Sequence, residues 1–122
     1  MTQRDDIKPN HYTCPVDLTL DVIGGKWRPL ILWELRPGGK QFNALHARLP
    51  GISHKVLTQQ LRRLVRQGIL ERTVRDGRVR TVTYTLTEFG RSLCPVLDTL
   101  AGWAKHNHRR MGLLLDWNPA RR

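Results

Sequence analysis

Residues 41–68 read QFNALHARLPGISHKVLTQQLRRLVRQG, and the fold turns on this stretch. Phe42, Leu45 and Leu49 recur at three and four, which predicts a short helix over residues 41–48. Leu49-Pro50-Gly51-Ile52 breaks it, since proline lacks the N–H that a helix interior needs. Ser53 can then accept a hydrogen bond from a freed backbone N–H, so a second helix is expected from Ser53 to about Gln67. Gly68 suits the left-handed residue that ends a helix. Two helices joined by a short glycine-containing turn make a helix-turn-helix.

The second helix has two chemically distinct faces. On a helical wheel Leu57, Leu61 and Leu64 fall together and should face a core. Opposite lie Lys55, Gln59, Arg62 and Arg66, with Thr58 and Arg63 at the flanks. Arginine can fork onto guanine O6 and N7, glutamine onto adenine N6 and N7, and threonine can meet a base edge or a thymine methyl. The first turns of such a helix reach deepest into a major groove. Lys55, Thr58, Gln59 and Arg62 are therefore the base-contact candidates, and Arg66 a phosphate contact. Ser53 and His54, at the helix start, complete this edge, with His54 placed to meet phosphate. A plain amphipathic helix with a solvated basic side gives the same wheel. Its surroundings favour the nucleic-acid reading.

Working outward, the period changes from helical to two after Gly68. Ile69–Arg75 and Val79–Leu86 are rich in Val, Thr and Tyr, and Asp76-Gly77 between them signals a type I′ hairpin. Arg75, Arg78 and Arg80 flank the tip, as expected of a wing laid on phosphates or dipping into the minor groove. Lys40, Gln41 and Asn43, at the start of the short helix, are backbone anchors or polar capping residues. Upstream, Cys14-Pro15 reads as an N-cap with proline at the first helical position, followed by Val16, Leu20 and Ile23 on one face and a stop at Gly24-Gly25. A further helix carrying Trp27, Leu30, Ile31 and Leu35 is expected to start near Lys26 or Trp27, which leaves Pro29 in its first turn, and to stop at Arg36-Pro37-Gly38-Gly39. Downstream, Thr87 caps a long helix over 87–108 with apolar positions Phe89, Leu93, Val96, Leu97, Leu100 and Trp103, kinked at Pro95. Met111–Trp117 is apolar enough to pack. The expected fold is mainly α with a small β-hairpin: a winged helix-turn-helix with extra helices at both ends. Its parts would be a flexible arm over 1–12, the DNA-binding and dimerisation domain over 13–108, and an extension over 109–122.

Charge agrees with this reading. The chain of 122 residues carries a formal net charge of +11, which favours a polyanionic partner. Between Ser53 and Arg80 stand Lys55, Arg62, Arg63, Arg66, Arg72, Arg75, Arg78 and Arg80 against only Glu71 and Asp76. No stretch approaches the roughly 18 apolar residues of a membrane span, and MTQRDDIKPNHYTCP holds no apolar signal core, so the expected location is cytoplasmic. Cys14 and Cys94 form neither a disulfide scaffold nor a CxxC pair. His46, His54, His106 and His108 lack carboxylate or thiol partners to complete a ligand set, so no metal and no cofactor is expected. An enzyme is also disfavoured: there is no glycine-rich phosphate loop, nucleophile–base pair or paired carboxylates. The remaining rival is a non-specific architectural or RNA-associated basic protein.

The sequence resembles the HxlR family of bacterial winged-helix transcriptional regulators. Cys14-Pro15-Val16, Leu20-Asp21-Val22-Ile23-Gly24-Gly25-Lys26-Trp27, Leu49-Pro50-Gly51-Ile52-Ser53 and Leu57-Thr58-Gln59-Gln60-Leu61-Arg62 carry the match. Gly68-Ile69-Leu70-Glu71-Arg72, Tyr84-Thr85-Leu86-Thr87 and Gly90-Arg91-Ser92-Leu93 extend it, so that it spans roughly residues 13–106. The resemblance implies a homodimer on an inverted-repeat operator of double-stranded DNA. The first and last long helices would pair through Val16, Leu20, Leu93, Val96, Leu97, Leu100 and Trp103. Two recognition helices would then sit about one DNA turn, ~34 Å, apart. Pro29 and the Arg75-Asp76-Gly77-Arg78 tip depart from the family pattern. Some HxlR-like proteins sense oxidants or electrophiles at the position of Cys14, which makes it a candidate redox sensor. A helix N-terminus in a basic protein favours the reactive thiolate, while Asp17 nearby opposes it.

Overall fold

A computed structural model describes residues 11–117. Helix α1 spans Pro15–Ile23, with Cys14 as an extended N-cap and proline in the first turn, as its sequence predicts. Arg28 Nη1 donates to the last carbonyls of α1, Asp21 O at 2.9 Å and Val22 O at 3.1 Å. Helix α2 spans Arg28–Leu35. It starts one residue later than expected, with Trp27 as N-cap, and Pro29 falls where a missing N–H costs nothing. Most of the arm expected over 1–12 lies outside the described residues. Tyr12, at its end, is docked rather than frayed, its hydroxyl donating to Asp21 Oδ2 at 2.6 Å.

The next element corrects the expected two-stranded wing. Lys40–Gln41 form a short strand, β1, immediately before helix α3, Phe42–Ala47. After helix α4, His54–Arg66, strands β2, Leu70–Arg75, and β3, Thr81–Leu86, complete a three-stranded antiparallel sheet in the order β1-β3-β2. Lys40 pairs with Tyr84 and Gln41 with Thr83. Two residues are too few to show a period, and their partners lie far along the chain.

The wing turn also differs from expectation. Arg75 pairs with Thr81, so residues 76–80 form the loop, and Gly77 does not take the positive φ that a type I′ Asp-Gly turn requires. The pairing is set at the root of the hairpin, where buried Leu70 lies opposite buried Leu86. A two-residue turn would have set Arg75 against Arg78, two like charges directly opposed.

The long terminal helix is two helices. Helix α5, Glu88–Arg91, begins as expected with the Thr87 hydroxyl accepting from Gly90 N at 2.9 Å. Gly90 is buried against Ile69, just before β2; a Cβ there would stand 2.2 Å from Ile69 O. Helix α6, Cys94–Asn107, follows with Pro95 in its first turn. Pro95 has no N–H and its ring would strike the Arg91 carbonyl, so the chain tightens, with Leu93 N bonding Gly90 O at 3.0 Å, and restarts. The expected kink is a tightened turn at Ser92 and Leu93, both still right-handed, that separates the two helices.

The core gathers Ile31, Leu32 and Leu35 of α2, Leu45, Leu49 and Ile52 around the turn, the inner leucines of α4, Ile69 and Leu70, Leu86, and Leu97 of α6. Burial of Leu97 corrects its expected place in a dimer interface: it closes this chain's own core. Arg36, at the end of α2, bridges to Asp98 at 2.9 Å and lies over the Trp33 ring. Beyond a 3₁₀ turn at Arg109–Met111, Trp117 returns edge-on to Trp33 at 5.8 Å, under the Lys105 ammonium. Packing of 111–117 is confined to Trp117, because Leu113, Leu114 and Leu115 are exposed. The rest of the expected extension, 118–122, lies outside the described residues.

Candidate nucleic-acid interface

Local sequence builds the recognition element in order. Buried Leu45, Leu49 and Ile52 hold α3 and the turn to the core, and Gly51 takes φ +94 at the corner. Ser53 Oγ accepts from Val56 N at 3.0 Å, satisfying one of the N–H groups left open at the start of α4. At the other end Gly68 has φ +75, Gly68 N bonds Val65 O at 3.0 Å and Ile69 N bonds Leu64 O at 3.0 Å. That pair of bonds is a Schellman closure, with buried Ile69 packed as its apolar partner. It turns the chain straight into β2. Thr87 Oγ1 then donates to Gly68 O at 2.6 Å, tying the root of the wing to the end of α4.

Between these ends Leu57, Leu61 and Leu64 are buried at 1% exposure or less. Lys55, Gln59, Arg62 and Arg66 are exposed, and Thr58 and Arg63 half-buried. The face read from the wheel is therefore open to solvent. The polar side is divided, however. Thr58, Arg62, Val65 and Arg66 line a cleft shared with Arg72 and Tyr84 of the wing, whereas Lys55 and Gln59 are not among its walls. Arg75, Arg78 and Arg80 are exposed on or beside the 76–80 loop. No ion pair among the described residues engages Arg62, Arg66, Arg72, Arg75, Arg78 or Arg80. A guanidinium without a carboxylate partner keeps its full charge for an outside anion.

The upstream anchors separate. Gln41 and Asn43 are exposed. Lys40 is half-buried: its Nζ donates to Glu34 O at 2.7 Å, at the carbonyl end of α2, which holds the ammonium against that helix. His54 is exposed but belongs to a ring cluster, 4.2 Å from His46 and 5.5 Å from Phe42, while His46 Nε2 lies 2.8 Å from Ile52 O. This cluster clamps the turn between α3 and α4, and nothing in the sequence singled it out, since the rings meet only across the corner. Gln60 was also missed: its Oε1 is buried on the inner side of α4 without a hydrogen-bond partner.

Away from this face, Val16 and Leu20 on α1 and Leu100 and Trp103 on α6 are exposed, 53% or more in each case. Leu18 and Phe89 join them unpredicted, whereas Leu93 and Val96 are half-buried against the core. Cys14 is exposed and makes no capping hydrogen bond; Cys94 is half-buried against the core. Among the described residues no helix is long and apolar enough to cross a membrane, and no group of three His, Cys, Asp or Glu is placed to share a metal.

Comparison with known proteins agrees with this architecture. The family described as HxlR-like helix-turn-helix matches residues 22–111. The HTH-type transcriptional regulator YybR of Bacillus subtilis strain 168 is 39% identical over 122 residues, covering 95% of this chain and 98% of the relative. The solved structure of the redox regulator HypR in its reduced form is 39% identical, with a TM-score of 0.77 over 81% of this chain and 98% of that one. A MarR-family transcriptional regulator from Porphyromonas gingivalis W83 is 28% identical, with a TM-score of 0.74 over 82% and 98%. With its winged helix-turn-helix and these relatives, the chain belongs to the HxlR-like helix-turn-helix family of transcriptional regulators.

Proposed function

We propose that this regulator binds double-stranded DNA in a sequence-specific way, as a homodimer on an inverted-repeat operator. Helix α4 lies in the major groove and the wing rests on the backbone or in the minor groove. The observation that carries the reading is the open face of α4: Lys55, Gln59, Arg62 and Arg66 are exposed on a helix capped at both ends and held by three buried leucines. A rigid helix presents such groups without ordering them at the moment of binding. Lys55, Thr58, Gln59 and Arg62 read base edges. Ser53, His54, Arg63 and Arg66 touch the strand beside the groove, and Arg75, Arg78 and Arg80 follow the flanking phosphates. Gln41 and Asn43 extend the footprint at the start of α3; Lys40 does not, being tied to α2.

Residues 13–108 form the unit that binds and dimerises, through the uncovered apolar residues of α1 and α6. Exposed Val16, Leu20, Leu100 and Trp103 supply its centre, with Leu93 and Val96 at the edge. Cys14 is the redox- or electrophile-responsive residue: it sits exposed at the N-cap of α1, and the similar protein HypR is a redox regulator. The test is gel-shift competition between DNA from upstream of the protein's own gene and random DNA, followed by footprinting. Protection of two half-sites about one helical turn apart supports the reading. Equal competition by random DNA defeats it in favour of a non-specific basic protein.

A further inference from the structure

Residues 24–27 carry the chain from α1 into α2, and they are fixed from both sides. A Cβ on Gly24 would stand 2.1 Å from Leu20 O, and Gly25 takes φ +84, a left-handed conformation that other side chains resist. Arg28 holds the last carbonyls of α1, and Ile31 N closes the first turn of α2 on Trp27 O at 2.9 Å. Trp27 is thereby kept where its ring reaches the helix-turn-helix. A Cβ on Gly51, in the corner before α4, would lie 4.0 Å from Cη2 of the indole. Over that ring stands the Lys26 ammonium, 4.9 Å from the centroid, on an exposed side chain. No ion pair among the described residues engages it. A ring quadrupole attracts an ammonium without neutralising it, so the charge stays available while its position is restricted.

We propose that Lys26 is a further DNA contact, a phosphate clamp beside the edge formed by Ser53 and His54, with Trp27 as its positioning residue. A strand passing the start of α4 offers one phosphate for each ~3.4 Å of helix axis. Gly51 lies close before Ser53 in the chain, and the indole joins that corner to the ammonium. A compact ammonium suits a phosphate oxygen and carries no base information. Its contribution is affinity and register, not sequence choice. The proposal rests on the DNA reading above and adds to it a contact from the turn between α1 and α2, outside both the helix-turn-helix and the wing.

The molecule supplies its own control. Lys105 lies over Trp117 in the same way, 4.4 Å from the centroid, but on α6. Lys26→Met keeps the stem on the ring and removes the charge. On the operator duplex it should flatten the salt slope by about 1.8, one phosphate for each half-site of the dimer, and leave the preference for operator over scrambled DNA unchanged. Lys26→Arg should restore the slope, because a guanidinium also stacks on an indole and keeps its charge. Lys105→Met, which removes the same charge elsewhere, should match the unmodified protein. Ethylation interference should show, in each half-site, one phosphate whose ethylation weakens binding by the unmodified protein and not by Lys26→Met. An unchanged slope for Lys26→Met, an equal loss for Lys105→Met, no rescue by Lys26→Arg, a loss of operator preference, or an interference pattern identical to that of the unmodified protein would each overturn the proposal. A failure of the DNA reading itself looks different: the unmodified protein forms no operator complex, or random DNA competes equally.

Discussion

Replacing Arg78 with alanine separates charge contacts from base reading, and the expected size of the effect can be worked out. Arg78 is exposed in the 76–80 loop and has no ion-pair partner among the described residues, so its removal strands no internal carboxylate. Each phosphate neutralised steepens the dependence of log K on log salt by about 0.9. In the proposed dimer two wings act, so Arg78→Ala should flatten the slope by about 1.8. Between 50 and 200 mM salt, a fourfold change, that amounts to a relative shift of about twelvefold, the variant losing far more affinity at low salt than at high. Gln59→Ala is the contrast. Gln59 is neutral and exposed, so its loss should cost about 1–3 kcal/mol per half-site at one base position, with the slope unchanged. Fluorescence anisotropy on operator and scrambled duplexes across a salt series measures both. An unchanged slope for Arg78→Ala, or a slope change for Gln59→Ala matching it, would refute the division of labour between wing and helix.

Three further outcomes follow from particular contacts. Ser53→Ala removes the hydroxyl that caps α4 and should cost about 1 kcal/mol in denaturant unfolding, while Ser53→Asp should recover most of it. Trp103→Glu places a charge on the exposed apolar side of α6, and sedimentation should show a monomer that melts normally; a persistent dimer would move the interface elsewhere. Cys14→Ser should leave DNA binding intact under reducing conditions and abolish its change with diamide, whereas a full response in the serine variant would remove Cys14 from the sensing role.

Much of the site was legible in the sequence because the devices that build α4 are local. A serine cap, leucines at helical spacing and a glycine exit lie within residues 53–68 and need no partner to be recognised. The exposed groups followed from the same period. Lys40 was not legible: a lysine before a helix looks like a phosphate anchor until the end of α2 arrives beneath it. Leu97 shared the stripe of Leu100 and Trp103, and only the approach of α6 to α2 separated the residue that closes the core from those left bare.

The sequence by itself determined the order of the helix-turn-helix and the hairpin, the two faces of the recognition helix and the basic character of that surface, since capping, periodicity and charge are properties of neighbouring residues. The tertiary structure decided the β1 pairing, the wing register and the cleft between Arg62 and Arg72. Each depends on two segments distant in the chain, and their partner is chosen by what the core buries, Leu70 against Leu86 above all, which no local pattern records.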